Sequence, residues 1–308
     1  MGVVAGLEIA RAAKESGGPP ISMVSFQDEE GRFGILTGSD VWTGKISLAE
    51  ADMLTDNDGV ALGAVRSRMS GRARDFLPHD MFHGFIEMHI EQGPGMDAAG
   101  DQIGVVSEIV GIREVRIRIF GRQNHAGTTP MALRQDAFQA LSEFNRRINA
   151  RFAALATPAT VWTLGHAEIT PNASSVVPGC AFFSFQWRDG DVTRLEKMEA
   201  VVREVATEVA QDLRVKVELG DVGGIEPAAM SPRLKTALRD SAESLAPGKW
   251  LDLPSGALHD AANVARVIPS AMLFVPSIGG ISHAFDEDTK EEDLVMGLEV
   301  LAEAAFAL

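Results

Sequence analysis

The stretch Val115-Arg116-Ile117-Arg118-Ile119-Phe120 decides the fold. Apolar residues alternate with arginine at period two, the pattern of a strand with one face on a core and the other in water. The chain before it reads differently. Val3, Leu7 and Ala10 recur at helical spacing, Gly17-Gly18-Pro19-Pro20 ends that helix, and Ile21 to Phe26 is a short apolar run of the buried-strand type. Helix followed by buried strand is α/β grammar. The helix opens at the first residues with neither a strand nor an N-cap ahead of it, so we expect a chain shortened at its N-terminus.

After Val115 the grammar is α+β. Thr128-Thr129-Pro130 offers an N-cap with proline at the first helical position, and Phe138, Leu141, Phe144, Ile148 and Phe152 form the stripe behind it. Strands are expected around Val161 and through Phe183, Phe185 and Trp187. A Thr193/Glu196 capping box then opens a helix striped by Leu195, Met198, Val202, Val205 and Val209, and a last strand runs through Val215, Val217 and Leu219. The order βαββαβ is ferredoxin-like. Beyond Gly223-Gly224 the α/β grammar returns: Ser231-Pro232 opens a helix carrying Leu234, Leu238 and Leu245, Ala271 to Val275 is a buried strand, and Thr289/Glu292 is a capping box for a closing helix through Leu294, Leu298 and Leu301. The expected fold is α/β, a mixed sheet flanked by helices over residues 1–108 and 223–308, split by an inserted ferredoxin-like α+β domain at 109–222.

Composition removes several function classes. In 308 residues, 45% hydrophobic and 23% charged content argues against disorder, collagen and coiled coil. No apolar run approaches the roughly 18 residues of a membrane span. With 28 Lys and Arg against 43 Asp and Glu, the net charge of −15 opposes a nucleic-acid surface, and the arginines between Arg113 and Arg151 read as a solvated face. The one cysteine, Cys180, cannot form an intrachain disulfide; the first residues show no basic n-region or cleavage signal, and Gly6 stands where a myristoylation site has a hydroxyl residue. We expect a cytoplasmic protein with neither nucleic-acid nor membrane partners.

Four segments gather titratable groups beside glycine, where α/β folds place chemistry. Asp28-Glu29-Glu30-Gly31 follows the first expected strand, and its paired carboxylates suit a division into metal ligand and general base, or merely form a solvated acidic turn. In Glu87-Met88-His89-Ile90-Glu91-Gln92-Gly93-Pro94, alternation sets Glu87, His89 and Glu91 opposite Ile86, Met88 and Ile90, so His89 is either a ligand or a hydrogen-bonded structural histidine. Gly279-Gly280-Ile281-Ser282-His283 brings a second imidazole. Asn124-His125-Ala126-Gly127 puts His125 just ahead of an expected helix N-terminus, and Arg188 ends a strand where its guanidinium can fork a carboxylate or simply face solvent. Spacing alone joins none of these residues.

Read in order, DEEG, HIEQGP, GIR, NHAGTTPM, PNAS-VVPG, SGALHDA and MLFVPSIGGISH closely resemble the metal-dependent amidohydrolases of the hydantoinase/carbamoylase group within the M20 metallopeptidase-like superfamily. That group includes N-carbamoyl-L-amino-acid hydrolases, β-ureidopropionases and allantoate amidohydrolases. The resemblance covers essentially the whole chain. It implies a catalytic α/β domain with an inserted lid used for homodimerisation, a small ureido or carbamoyl acid as substrate, and two divalent metals per subunit, zinc or else manganese, cobalt or nickel. By resemblance Glu29 is the general base, and Glu30, His89 and His283 are metal ligands. Gln92 contacts substrate, His125 supports the oxyanion in a neighbouring subunit, and Arg188 grips the substrate carboxylate. Ser175 stands where the group has an asparagine assisting that arginine, with Asn172 nearby but out of register. Leu258 replaces a common glycine, and His259 receives no role. The group's further histidine ligand and metal-bridging aspartate have no counterpart in this chain, which implies an incomplete metal site and an impaired enzyme. The leading expectation is a hydrolase cleaving C–N bonds of N-carbamoyl or ureido acids by metal-activated water. The alternatives are an M20-type peptidase or aminoacylase and a noncatalytic dimerising homologue.

Overall fold

The computed structural model describes residues 1–308. In chain order its helices are α1 (Gly2–Ser16), α2 (Thr37–Trp42), α3 (Leu48–Asp52), α4 (Leu62–Ser67), α5 (Gly95–Ala99), α6 (Ala137–Ala153), α7 (Val192–Asp212), α8 (Pro232–Leu245), α9 (Asp260–Val264) and α10 (Glu291–Ala307). Its strands are β1 (Phe85–Ile90), β2 (Ile103–Ile109), β3 (Gly111–Phe120), β4 (Asn124–His125), β5 (Val161–Thr170), β6 (Val176–Val177), β7 (Cys180–Asp189), β8 (Lys216–Leu219), β9 (Gly223–Ile225), β10 (Ala228–Ala229), β11 (Trp250–Ser255) and β12 (Ser270–Val275). The chain divides into two compact units, Met1–Ile109 with Ala228–Leu308, and Val110–Pro227. No helix is long and apolar enough to cross a membrane.

In the first unit a mixed sheet runs β1-β12-β2-β10, with β11 also on β2. Every residue of β12 is buried, as a central strand covered on both faces requires. Beside it the parallel β1 sends Met88 into the core built by α1, α8 and α10, while Glu87 and His89 face the other way. Two expectations fail here. Ile21 to Phe26 makes no ladder, because a strand exists only through its partner's hydrogen bonds and this segment has none; Ile21 packs on the core, whereas Met23 and Val24 are exposed. In α1 the buried stripe is Ala5, Ile9 and Ala13, and Val3 and Leu7 face solvent. The helix is apolar on more than one side, so periodicity alone does not choose the inward face. Its end behaves as read, with Gly17 in the left-handed C-cap conformation.

The second unit is an antiparallel sheet in the order β5-β7-β3-β8, with β9 also on β3 and helices α6 and α7 packed against it. Val115, Ile117 and Ile119 are buried and Arg116 and Arg118 exposed, as the alternation demands. Facing them in one core are Phe144, Phe183, Phe185, Trp187 and the α7 stripe from Leu195 to Val209. The expected caps are displaced. Asp136, not Thr128 or Thr129, caps α6 by accepting from the amides of Phe138 and Gln139, and Asp191 rather than Thr193 caps α7. A carboxylate directly before the first turn reaches the free amides better than a hydroxyl further off. Phe138 is consequently outside the α6 stripe and exposed. Likewise α10 begins after Lys290 without a side-chain cap, its N-terminus facing Glu291, Glu292 and Asp293 instead.

Candidate active site

The acidic turn is built by its first residue. Asp28 adopts a left-handed conformation, φ 60°, and its carboxylate accepts from the amides of Phe33 at 3.0 Å and Gly34 at 2.8 Å and from the Thr37 hydroxyl. Those donors hold the Asp28 carboxyl below its ordinary range against the opposing effect of burial. The turn then docks on the start of α2, where Gly38 donates its N–H to the Gln27 carbonyl at 2.8 Å. A Cβ at Gly38 would lie 2.6 Å from Gln27 N, so only glycine permits this approach. Glu29, next in the turn, is half-buried, and burial first, then the negative charges of Glu30 and Asp260, push its carboxyl up.

A second group of side chains lines the other face of β1. His89 pairs through Nδ1 with the Ile90 carbonyl at 2.9 Å, so that nitrogen carries the proton and Nε2 keeps a free lone pair. The ring lies edge-on to His259, centroids 4.6 Å apart, and both pack on Phe274. His259 is 1% exposed; its Nε2 meets Ser255 Oγ at 2.8 Å, while Nδ1 has no hydrogen-bond partner and stands 3.8 Å from Glu87 Oε1. Burial depresses the His259 imidazole to about 3 and raises the Glu87 carboxyl to about 8, so at neutral pH the two face each other uncharged. Glu87 accepts the Ala261 amide at the start of α9. Next to it Asp260 is buried with Oδ1 unpartnered, and burial raises its carboxyl as well.

The third group is a pair of loops pressed together. Gly280 sits so close to Pro94 that a Cβ would fall 2.5 Å from Pro94 N. Gln92 and His283 both hold left-handed backbones, φ 57° and 55°. Such strained positions persist only where surroundings over-determine them, and with Asp28 each of these three segments contains one. Glu287 accepts the His283 N–H at 3.0 Å, and Gln92 donates its N–H to Ser277 Oγ at 3.0 Å and its side-chain Nε2 to Ser282 Oγ at 3.1 Å.

These three groups share one electrostatic neighbourhood. Glu30 acts on Glu29 and His89, and His283 and Asp260 act on Glu29. As a metal cage the set is incomplete: no three His, Cys, Asp or Glu side chains lie close enough to hold an ion. Glu30, His89 and His283 therefore do not by themselves fit the two-metal site that the resemblance implied. Sequence reading set Glu87 on the face of His89 without giving it a role, missed Asp260 and Glu287 as members of this neighbourhood and gave His259 no role; the signal for Asp260 was that it and Asn263 punctuate a run of alanine and valine.

The remaining residues belong to the second unit. His125 lies in the β4–β6 ribbon, and its Nδ1 accepts the amides of Gly127 at 3.0 Å and Thr128 at 3.2 Å. That leaves the proton on Nε2, the tautomer able to donate outward. The expected helix N-terminus does not follow it, since only a short 3-10 turn, Met131–Leu133, precedes α6. The Ser175 carbonyl accepts from Ala126 beside this ribbon, and Asn172 is left-handed in the same turn between β5 and β7. Arg188 stands at the other end of β7, paired across from Val161, while Cys180 pairs with Thr170. Eight strand steps, about 26 Å, separate those ends. One chain therefore does not bring Asn172 or Ser175 beside Arg188. Gln186 accepts from the Arg188 Nε at 2.9 Å, and burial lowers the guanidinium's pKa.

Residues 1–307 match the family model described as peptidase family M20/M25/M40. The chain belongs to that family. Among its relatives, the N-carbamoyl-L-amino-acid amidohydrolase of Paenarthrobacter aurescens is 35% identical over 320 residues, covering 100% of this chain and 76% of the relative. The allantoate amidohydrolase of Bacillus subtilis is 31% identical over 316 residues, covering 100% and 76%. A solved amidase of the hydantoinase/carbamoylase family from Burkholderia phymatum superposes with a TM-score of 0.91 at 39% identity, over 99% of this chain and 76% of that one. M20 amidohydrolases generally depend on divalent metal.

Proposed function

We propose that this M20 protein hydrolyses the C–N bond of N-carbamoyl amino acids or related ureido acids. The observation that carries the reading is Glu29, a half-buried carboxylate on a turn pinned by Asp28, its basicity raised by burial and by Glu30 and Asp260. Such a group takes a proton from the attacking water and returns it to the leaving nitrogen. Arg188 supplies a fork for the substrate carboxylate, and His125 Nε2 a donor for the developing oxyanion. We further infer that Val110–Pro227 acts as a lid and dimerisation unit, through which His125 serves a partner chain's site. Its strand β5 is an edge strand carrying an exposed Val161, the kind of edge that a second copy covers. The unpaired Cys180 fits a reducing, cytoplasmic setting.

The test is hydrolysis of N-carbamoyl amino acids, ureido acids, N-acyl amino acids and dipeptides with zinc, manganese, cobalt or nickel supplied. Glu29→Gln should lower turnover about 10²–10⁴-fold without altering the unfolding midpoint. A variant of undiminished turnover removes Glu29 as base, and cleavage of peptides alone moves the protein to the peptidase reading. A second reading, a dimerising homologue without catalysis, is favoured by the incomplete ligand set. It predicts an inert protein that still sediments as a dimer, and elemental analysis after dialysis should find fewer than two divalent ions per chain.

A further inference from the structure

We propose that the Arg72–Ala73 bond is a cleavage site for trypsin-like endopeptidases, and that residues 1–72 stay docked on the rest of the first unit after the cut. This holds whatever substrate the active site takes. Every residue from Arg66 to Pro78 is exposed, the longest such run in the chain. Ser67, Ser70, Gly71 and Ala73 carry little to bury, and Met69, Phe76 and Leu77 find no core and face water. After α4 the chain makes one 3-10 turn, Ser70–Arg72, closed by the Arg72 amide on the Met69 carbonyl at 2.8 Å and the Ala73 amide on the Ser70 carbonyl at 3.0 Å. From Arg74 to Leu77 no backbone amide donates to the chain. A segment with so few bonds opens locally at small cost, and an endopeptidase cleft takes its substrate as an extended strand. Four arginines lie in the run. Arg66 forks Asp52 at 2.8 and 2.5 Å, Arg68 still closes α4, and Arg74 folds back on the Ala73 carbonyl at 2.7 Å and is followed by Asp75. The Arg72 side chain makes neither ion pair nor hydrogen bond, so its guanidinium is open to the acidic specificity pocket of such a protease. Hydrolysis adds water across the C–N bond, leaving a carboxylate on Arg72 and an ammonium on Ala73. Residues 1–84 supply no strand to either large sheet, so the cut breaks no ladder. Beyond the cut, Trp42 Nε1 donates to the Leu77 carbonyl at 3.1 Å, and the Trp42 carbonyl meets His79 Nε2 at 2.6 Å. The 1–72 piece is held further by Ala5 and Ile9 in the core with Met88, Val275 and Leu301, and by Asn263 of α9, whose Nδ2 donates to Ser39 Oγ at 2.9 Å and Asp40 Oδ1 at 2.5 Å. Glu29 and Glu30 then belong to one piece and His89 and His283 to the other, joined by contacts alone.

The experiment treats the full chain briefly with trypsin at a low ratio and reads the first products by intact mass. The expected pair is 1–72 and 73–308; a first cut at any other bond overturns the assignment. Arg72→Gln changes an exposed side chain and should slow the first cut at least about tenfold, because glutamine leaves the acidic pocket of the protease unpaired. An unchanged rate in that variant overturns the assignment as well. With trypsin's own rate on a free peptide as reference, cutting of the wild-type chain should stay within about twofold up to urea concentrations just below the unfolding transition, since a local opening exposes little surface. A rate that climbs in step with global unfolding overturns the local opening. Docking is read by gel filtration of the nicked protein. Both pieces should elute together at the size of the uncut protein in buffer and separate in urea; separation in buffer alone overturns the docking, while the cleavage site stands.

Discussion

Asp189 and Asp260 are both buried aspartates, one in each unit, and they are treated in opposite ways. Asp189 accepts from the Thr160 hydroxyl, from Arg194 at 2.6 Å and from the Asp191 amide at 2.8 Å, so its charge is fully answered. Asp260 keeps Oδ1 without a partner, and two residues of the neighbouring polar group, Glu87 and His259, are pushed toward their neutral forms by burial. Around Phe144 and Trp187 the second unit's core is a continuous cluster of buried apolar side chains. A sequence selected only for stability pairs or excludes such groups, as Val110–Pro227 does. In the other unit they stay unanswered close to Glu29, the general base proposed above, as groups kept for chemistry rather than for stability would.

The largest effect that sharpens this contrast is expected from Phe144→Ala. Phe144 is fully buried against Phe183 and Phe185, with ring centroids 5.3 and 6.1 Å away. Its truncation should cost about 3–5 kcal/mol in denaturant unfolding of the second unit. A loss below about 1 kcal/mol would mean that this core is not the tightly packed scaffold described.

Next comes Glu87→Gln, where the expected effect depends on pH. The folded carboxyl titrates at about 8, above its ordinary value of 4.5. An unfolded chain releases this proton near 4.5 and the folded chain holds it to about 8, so stability falls as pH rises across that window. Glutamine cannot ionise and still accepts the Ala261 amide. The variant should match wild type near pH 4.5 and exceed it by a few kcal/mol, in order of magnitude, by pH 8. His259 gives the opposite limb: its pKa is depressed to about 3, and stability present above 6.5 is lost as pH falls toward 3. A difference between Glu87→Gln and wild type that stayed flat from pH 4.5 to 8 would show that Glu87 is not held neutral.

How much of this was legible in the sequence follows from the range of each interaction. Period-two alternation placed Val115, Ile117 and Ile119 inward, and the same rule set His89 opposite Met88, because a strand's faces are fixed by its own pleat. The α7 stripe was equally local. Caps were not, since Asp136 and Thr129 are both competent acceptors and only the backbone path chooses between them. Ile21 to Phe26 failed for a related reason, as an apolar run does not state whether a ladder partner will meet it. The resemblance supplied Glu29, Glu30, His89 and His283 as site residues, and the structure puts them in one neighbourhood without closing a ligand cage. The orphaned nitrogen of His259 and the separation of Ser175 from Arg188 depend on contacts and register between distant segments, and no spacing encodes them.

The smallest effect is expected at Glu143, the counterpart of Glu87 on the surface of the second unit. Arg146 and Arg147, one turn on along α6, each donate to it at 2.7 Å and hold its carboxyl at about 2. Here the sign is reversed: the folded pKa lies below the ordinary 4.5, so the contribution is complete above about pH 4.5 and disappears as pH falls through about 2. Water and salt screen this pair, and helical ion pairs of this spacing are worth only about 0.3–0.5 kcal/mol each. Glu143→Gln should therefore cost about 0.5–1 kcal/mol at pH 7, nothing near pH 2, and about half as much once salt shortens the Debye length to a few ångströms. Under the same salt the pH profile of Glu87→Gln should hardly move, because burial rather than a screened charge sets it. If salt instead moved both variants equally, the two carboxylates would share one solvent-exposed regime, and the distinction between answered and unanswered charge would be lost.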